Sequence, residues 1–127
     1  MIPKFRAWIK KEKCFADGVK AVFPTLCEVG LYWKGAWDVE KFSLDDVILM
    51  QSTGLKDKNG VEIFEGDILK DDLESGKIVY DPDRTMWRVY GKDFDDALSD
   101  WWMGRVIGNI YENPELLEDK NEQTRSD

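Results

Sequence analysis

The sequence predicts a mainly β fold with minor α, a meander or small barrel of short strands whose C-terminal half follows the order of an SH3-like barrel. Three observations predict it. Short apolar stretches recur along the chain, several with the period of two that marks a half-buried strand. Glycine turn signals separate them, at Asp17-Gly18, Asn59-Gly60, Gly66, Gly76 and Gly91. Only one stretch, near 93–102, carries helical spacing.

In chain order, Phe5, Ala7 and Ile9 alternate with Lys4 and Arg6, which reads as a strand, with Trp8 the exception to the alternation. Residues 10–13 are a polar connection, and Cys14-Phe15 is a short strand. Residues 19–23 and 27–33 are rich in Val, Phe and Leu, but Pro24 splits them into two strands. Gly35 turns the chain. Residues 38–46 read as loop or one helical turn, with Ser43 before Asp46 as a cap signal. Residues 47–51 are continuously apolar, so that strand is covered on both faces. Asp57-Lys58-Asn59-Gly60 is a turn, because Asn-Gly tolerates positive φ. Residues 61–64 and 66–70 lead into two further strands. Residues 77–80 and 86–90 make a hairpin around the loop 81–85, with Trp87 and Val89 on one face and Arg88 on the other. In 93–102, Phe94, Ala97, Leu98 and Trp101 fall at i, i+3, i+4 and i+7, behind an acidic start that suits a helix dipole. Gly104 ends that helix, and residues 105–111 form the last strand. Pro114 sits just inside the start of a turn or one helical turn. Residues 1–117 read as one β-rich domain, divisible into an N-terminal β part, 1–46, and a barrel-like part, 47–117. Residues 118–127 read as a disordered acidic tail.

Composition limits the function. The chain has 127 residues, enough for one domain with its own core. No apolar run approaches the roughly 18 residues a spanning helix needs, and no apolar signal core follows the basic start, so a soluble intracellular protein is expected. The net charge of −8 argues against a generic duplex-DNA binder, which gains its affinity from cationic contacts to phosphate. The two cysteines, Cys14 and Cys27, lack metal-ligand spacing and read as free thiols. With no histidine, the commonest general base and metal ligand is missing, along with every Ser-His or Cys-His pairing. No catalytic constellation, metal site or cofactor site is expected.

Four pieces carry a family resemblance: Pro3-Lys4-Phe5-Arg6-Ala7-Trp8, the block 50–70, Gly76-Lys77-Ile78-Val79-Tyr80, and the run 106–117 through Gly108-Asn109-Ile110-Tyr111-Glu112-Asn113-Pro114. In order and composition the chain resembles the YopX family, small proteins encoded by bacteriophages and prophages. Ile9 stands where the family tends to carry an acidic residue. The resemblance implies a β-rich, phage-associated protein without an established activity, acting in the cytoplasm of a bacterial host. It supplies no catalytic residue.

The remaining candidates carry two readings each. Residues 53–60 could cradle a phosphate, but they lack the Gly-Lys-Ser/Thr pattern, and a structural loop is the simpler account. Glu62, Glu65 and Asp67, with Asp71 and Asp72, could hold a divalent cation; alternatively Gly66 takes an unusual backbone conformation and Asp67 bonds nearby amides to fix the turn. Adjacent Trp101 and Trp102 cannot both face one core, so one should be exposed or at an interface. Asp93, Asp95 and Asp96, with Asp100, are either a solvated face or a surface for a basic partner. The expected structural positions are Gly54, Asn59, Gly60, Gly66, Asp67, Gly108 and Pro114. The expected function is a non-enzymatic protein-binding or assembly module, with a protein partner, a second copy of the chain (a homo-oligomer) among the candidates. The alternatives are a nucleic-acid-associated module using Lys56, Lys58, Lys70 and Arg88, and a carboxylate-metal enzyme.

Overall fold

Ala7 and Ile9 do point into a core, but so does the intervening Trp8: all three are buried, so strand β1 (Phe5–Ile9) is covered on both faces. Trp8 departs from the alternation because it packs edge-on against Phe15 of β2 (Cys14–Phe15), with ring centroids 5.0 Å apart. The computed structural model describes residues 4–117; the acidic tail expected at 118–127 lies outside the described residues. The chain is mainly β, and it divides into two compact units, Met1–Ser52 and Thr53–Asp127.

In the first unit, β3 (Gly18–Phe23) pairs antiparallel with β4 (Glu28–Tyr32), and β4 with β5 (Glu40–Ser43). Pro24 opens a short 3-10 turn, Pro24–Leu26, and Cys27 leaves it in a left-handed conformation (φ 55°). β4 therefore starts one residue later than the apolar run suggests. β5 lies inside the stretch expected to be loop or helical turn. Its single apolar side chain, Phe42, sits opposite Val29 and packs on the core, and that contact decides the matter. A 3-10 turn, Leu44–Asp46, follows, and Ser43 caps it by accepting from the Asp45 amide. β6 (Val47–Lys56) then pairs antiparallel with β1. The core of this unit is Ala7, Ile9, Ala16, Val29, Leu31 and Val47.

The division between units falls inside β6, whose second half, from Thr53, neighbours β7 (Glu62–Phe64). The second unit is built on a five-stranded sheet. β8 (Asp67–Lys70), β9 (Ser75–Asp81), β10 (Met86–Tyr90) and β11 (Asp95–Ala97) run as an antiparallel meander, and β12 (Arg105–Asn109) returns to pair with the free edge of β8. One face of this sheet carries Leu69, Ile78 and Val89 into a core closed by Ile63, Leu98 and Trp101.

The helix expected near 93–102 is shorter than its spacing suggests. Asp95–Ala97 is strand β11, and only Leu98–Trp101 is helical, as a single 3-10 turn. The spacing of Phe94, Ala97, Leu98 and Trp101 is satisfied another way: Phe94 stacks on Trp101 at 5.5 Å, and Leu98 and Trp101 share the core. The four aspartates and one serine of 93–102 are weak helix formers, so the ladder to β10 prevails. A short α-helical stretch starts at Glu115, after Pro114. Among the described residues no helix is long and apolar enough to cross a membrane.

Candidate interaction surface

The loop between β6 and β7 is folded around one carboxylate, Asp57. Its Oδ1 accepts from the backbone amides of Asn59 and Val61, both at 2.8 Å. Its Oδ2 accepts from the amide of Val106 on β12, also at 2.8 Å. A backbone bond from the Lys58 amide to the Gly104 carbonyl, 3.2 Å, lies alongside. Burial pushes the Asp57 carboxyl upward. The donated amides of Val106, Val61, Asn59 and Gly60 more than offset that and hold it below the ordinary carboxylate value. Gly54 and Gly60 adopt φ of +79° and +84°, which a glycine takes without strain. Thr53 adds a bond from its hydroxyl to the Ile63 carbonyl.

The docked loop thus bonds to Gly104 and Val106, which closely follow the adjacent tryptophans in the chain. Trp101 is buried, stacks on Phe94 and donates through Nε1 to Asp96 at 3.0 Å. Trp102 is 75% exposed, and Met103 beside it is 45% exposed. Leu55, near the end of β6, and Val61, in the loop that Asp57 docks here, are also exposed. Arg105 lies directly opposite Lys70 across β12 and β8. Neither they nor Lys56 and Lys58 make an ion pair or side-chain hydrogen bond among the described residues.

The three candidate aspartates do separate things. Asp93 is exposed. Asp95 accepts from Arg88 Nε at 2.7 Å and from Arg84 at 3.2 Å, while Arg88 also donates to its carbonyl. The Arg88 hydrogen bond, together with that from Arg84, holds the Asp95 carboxyl below its usual range. Arg88 is therefore already engaged, unlike Lys56, Lys58 and Lys70. Asp96 serves Trp101.

The other marked residues sit at turns and close approaches of the backbone. Gly66 (φ +86°) donates to the Ile78 carbonyl and accepts from the Ile110 amide. Asp67 is buried and accepts from the Phe64 amide at 2.8 Å. Among the described residues no group of three or more acidic, cysteine or histidine side chains could hold a metal ion. A side chain at Gly108 would stand 2.5 Å from Asn113 Oδ1, so the turn through Pro114 closes tightly on β12. Asn109 organises that turn: its side chain accepts from the Tyr111 and Glu112 amides and donates to Glu112.

Both the docked loop and the Asn109 turn lie within residues 4–118, the span matched by the family model for YopX protein. The chain belongs to the YopX family. Of solved structures, the crystal structure of protein EF1440 from Enterococcus faecalis is similar to it, at 35% identity and a TM-score of 0.67, covering 92% of this chain and 99% of that one. Among curated proteins, none matches. In this YopX chain the residue that sequence reading passed over is Asp57. It stands in the Asp-Lys-Asn-Gly turn, where it signals only a local turn. Its bond to Val106 spans 49 residues and leaves no mark in either segment.

Proposed function

We propose that this YopX chain is a phage or prophage accessory protein that works without catalysis, by binding another protein through the Trp102–Met103 turn. The observation that supports this is the contrast between the two tryptophans. Trp101 satisfies the core, so Trp102 is not needed there, yet it is held out in solvent on a turn fixed by Asp57. An exposed Trp with Met as its chain neighbour is the composition of a contact surface. A second copy of the chain is one partner to test. Sedimentation over a range of concentrations, compared with Trp102→Ala, is the experiment. Self-association weakened by W102A, or a host protein retained by the wild type and lost with W102A, is expected. A monomer that retains the same host proteins with and without Trp102 overturns the proposal.

The second reading, a nucleic-acid-associated module on an SH3-like half, is favoured by one observation: Lys70 and Arg105 face each other with no described counter-ion. Like charges directly opposite on a sheet repel, and an anion would relieve them. Binding of single-stranded nucleic acid with a steep salt dependence supports this; no binding at low salt removes it.

A further inference from the structure

A cavity of about 320 Å³ lies beside the start of β9 and the end of β10 in the second unit. Alternation along β9 places Ser75 and Lys77 on the sheet face opposite to that of Ile78. Register adds Tyr90, opposite Lys77, and Lys70, opposite Ser75, with Arg105 beyond it. Three of these groups, Ser75, Lys77 and Tyr90, line the cavity. Ser75 is buried and the other two are half-buried. None of the three makes a side-chain hydrogen bond or ion pair among the described residues. All three can donate, and Lys77 is cationic. Leu73, Phe94 and Leu117 supply apolar wall. The acidic lining residues, Glu74 and Asp93, are exposed. Asp95, the carboxylate opposite Tyr90, is already held by Arg84 and Arg88.

We infer that this cavity binds a small amphipathic anion, with a carboxylate or phosphate head on Ser75, Lys77 and Tyr90 and a short apolar body against Leu73, Phe94 and Leu117. The volume is at the small end of the range for ligand sites, and a few convergent polar groups in an apolar wall is their usual make-up. In a chain of net charge −8, cations with no counter-ion among the described residues, gathered on one sheet face, also favour anions locally over the bulk surface. The site does not use Trp102 and does not rest on the protein-contact proposal.

The test is titration of the full chain with octanoate, phenyl phosphate, inorganic phosphate and octylammonium, following the backbone amide resonances of Ser75, Lys77 and Gly91. Saturable shifts with octanoate or phenyl phosphate are expected, and whichever binds identifies the head group. Lys77→Gln, checked for an unchanged melting temperature, should weaken that binding by about tenfold. Four outcomes overturn the inference: no saturation up to about 10 mM, equal binding of octylammonium, inorganic phosphate as good as phenyl phosphate, or unchanged binding by K77Q. If K77Q fails to fold, Tyr90→Phe is read in its place, by the same criterion of weakened anion binding.

Discussion

Replacing Trp101 with alanine lowers the stability of the fold by about 3–5 kcal/mol, while the same change at Trp102 stays within about 0.5 kcal/mol. The two residues are neighbours of one type, so intrinsic propensity cancels and environment decides. Trp101 loses the stack on Phe94 and its place against Leu98, and it leaves Asp96 without the indole donor. A side chain of that size leaves a cavity that its neighbours fill only in part. Trp102 gives up almost nothing, because most of its surface is already in water. Denaturant unfolding of both variants measures the contrast. Equal losses would mean that Trp102 is not free in solution, and both the fold assignment and the contact proposal would have to change.

Asp57→Ala is expected to cost about 3 kcal/mol or more, because hydrogen bonds to a charged group are each worth about 1.5–3 kcal/mol and three amides lose their acceptor together. Asp57→Asn recovers only part of this. An amide group offers one oxygen, whereas the site presents donors to both carboxylate oxygens, Asn59 and Val61 on one side and Val106 on the other. The pH dependence has a definite sign. The folded-state value for Asp57 lies below its ordinary 3.8. The stabilisation is therefore complete above about pH 3.8 and is lost as the pH falls through the lower folded-state value. Urea midpoints taken from neutral pH downward should fall in that acid window for the wild type, and the fall should be shallower for D57N. A wild-type profile that is flat there, or a D57N profile that matches it, contradicts this role.

Much of the fold is legible in the sequence wherever a local pattern and the tertiary environment agree. Met86–Tyr90 has the bounds that its alternation and flanking turn give. Its partner strand differs only in running on at both ends, as Ser75–Asp81. The positive φ at Gly54, Gly60 and Gly66 follows from residue type. Legibility fails where a distant contact outvotes the local pattern. Residues 40–43 carry one apolar side chain and become a strand because Val29 lies opposite Phe42. Residues 95–97 carry helical spacing and become a strand because β10 offers a ladder and Arg88 a partner for Asp95. The candidate surface divides in the same way. That one of the two tryptophans must leave the core follows from their adjacency, but which one does so depends on Phe94 and Asp96. The cavity is not legible, because the hairpin brings Lys77 to Tyr90 but nothing local signals that Phe94 and the distant Leu117 wall the space beside them.

The bond from Asp57 to Val106 also has a bearing on the order of folding. It closes 49 residues of chain, so the loop-closure entropy is spent before the bond gives anything back. The meander β8 to β11 is assembled from neighbouring hairpins and carries no such delay. The clasp should therefore form on the native side of the barrier. In refolding and unfolding kinetics, D57N should then speed unfolding and leave the folding limb nearly unchanged. A slowed folding limb would put the clasp in the nucleus instead. On this account Asp57 acts mainly as a lock on lifetime, setting how long the turn that presents Trp102 persists once made.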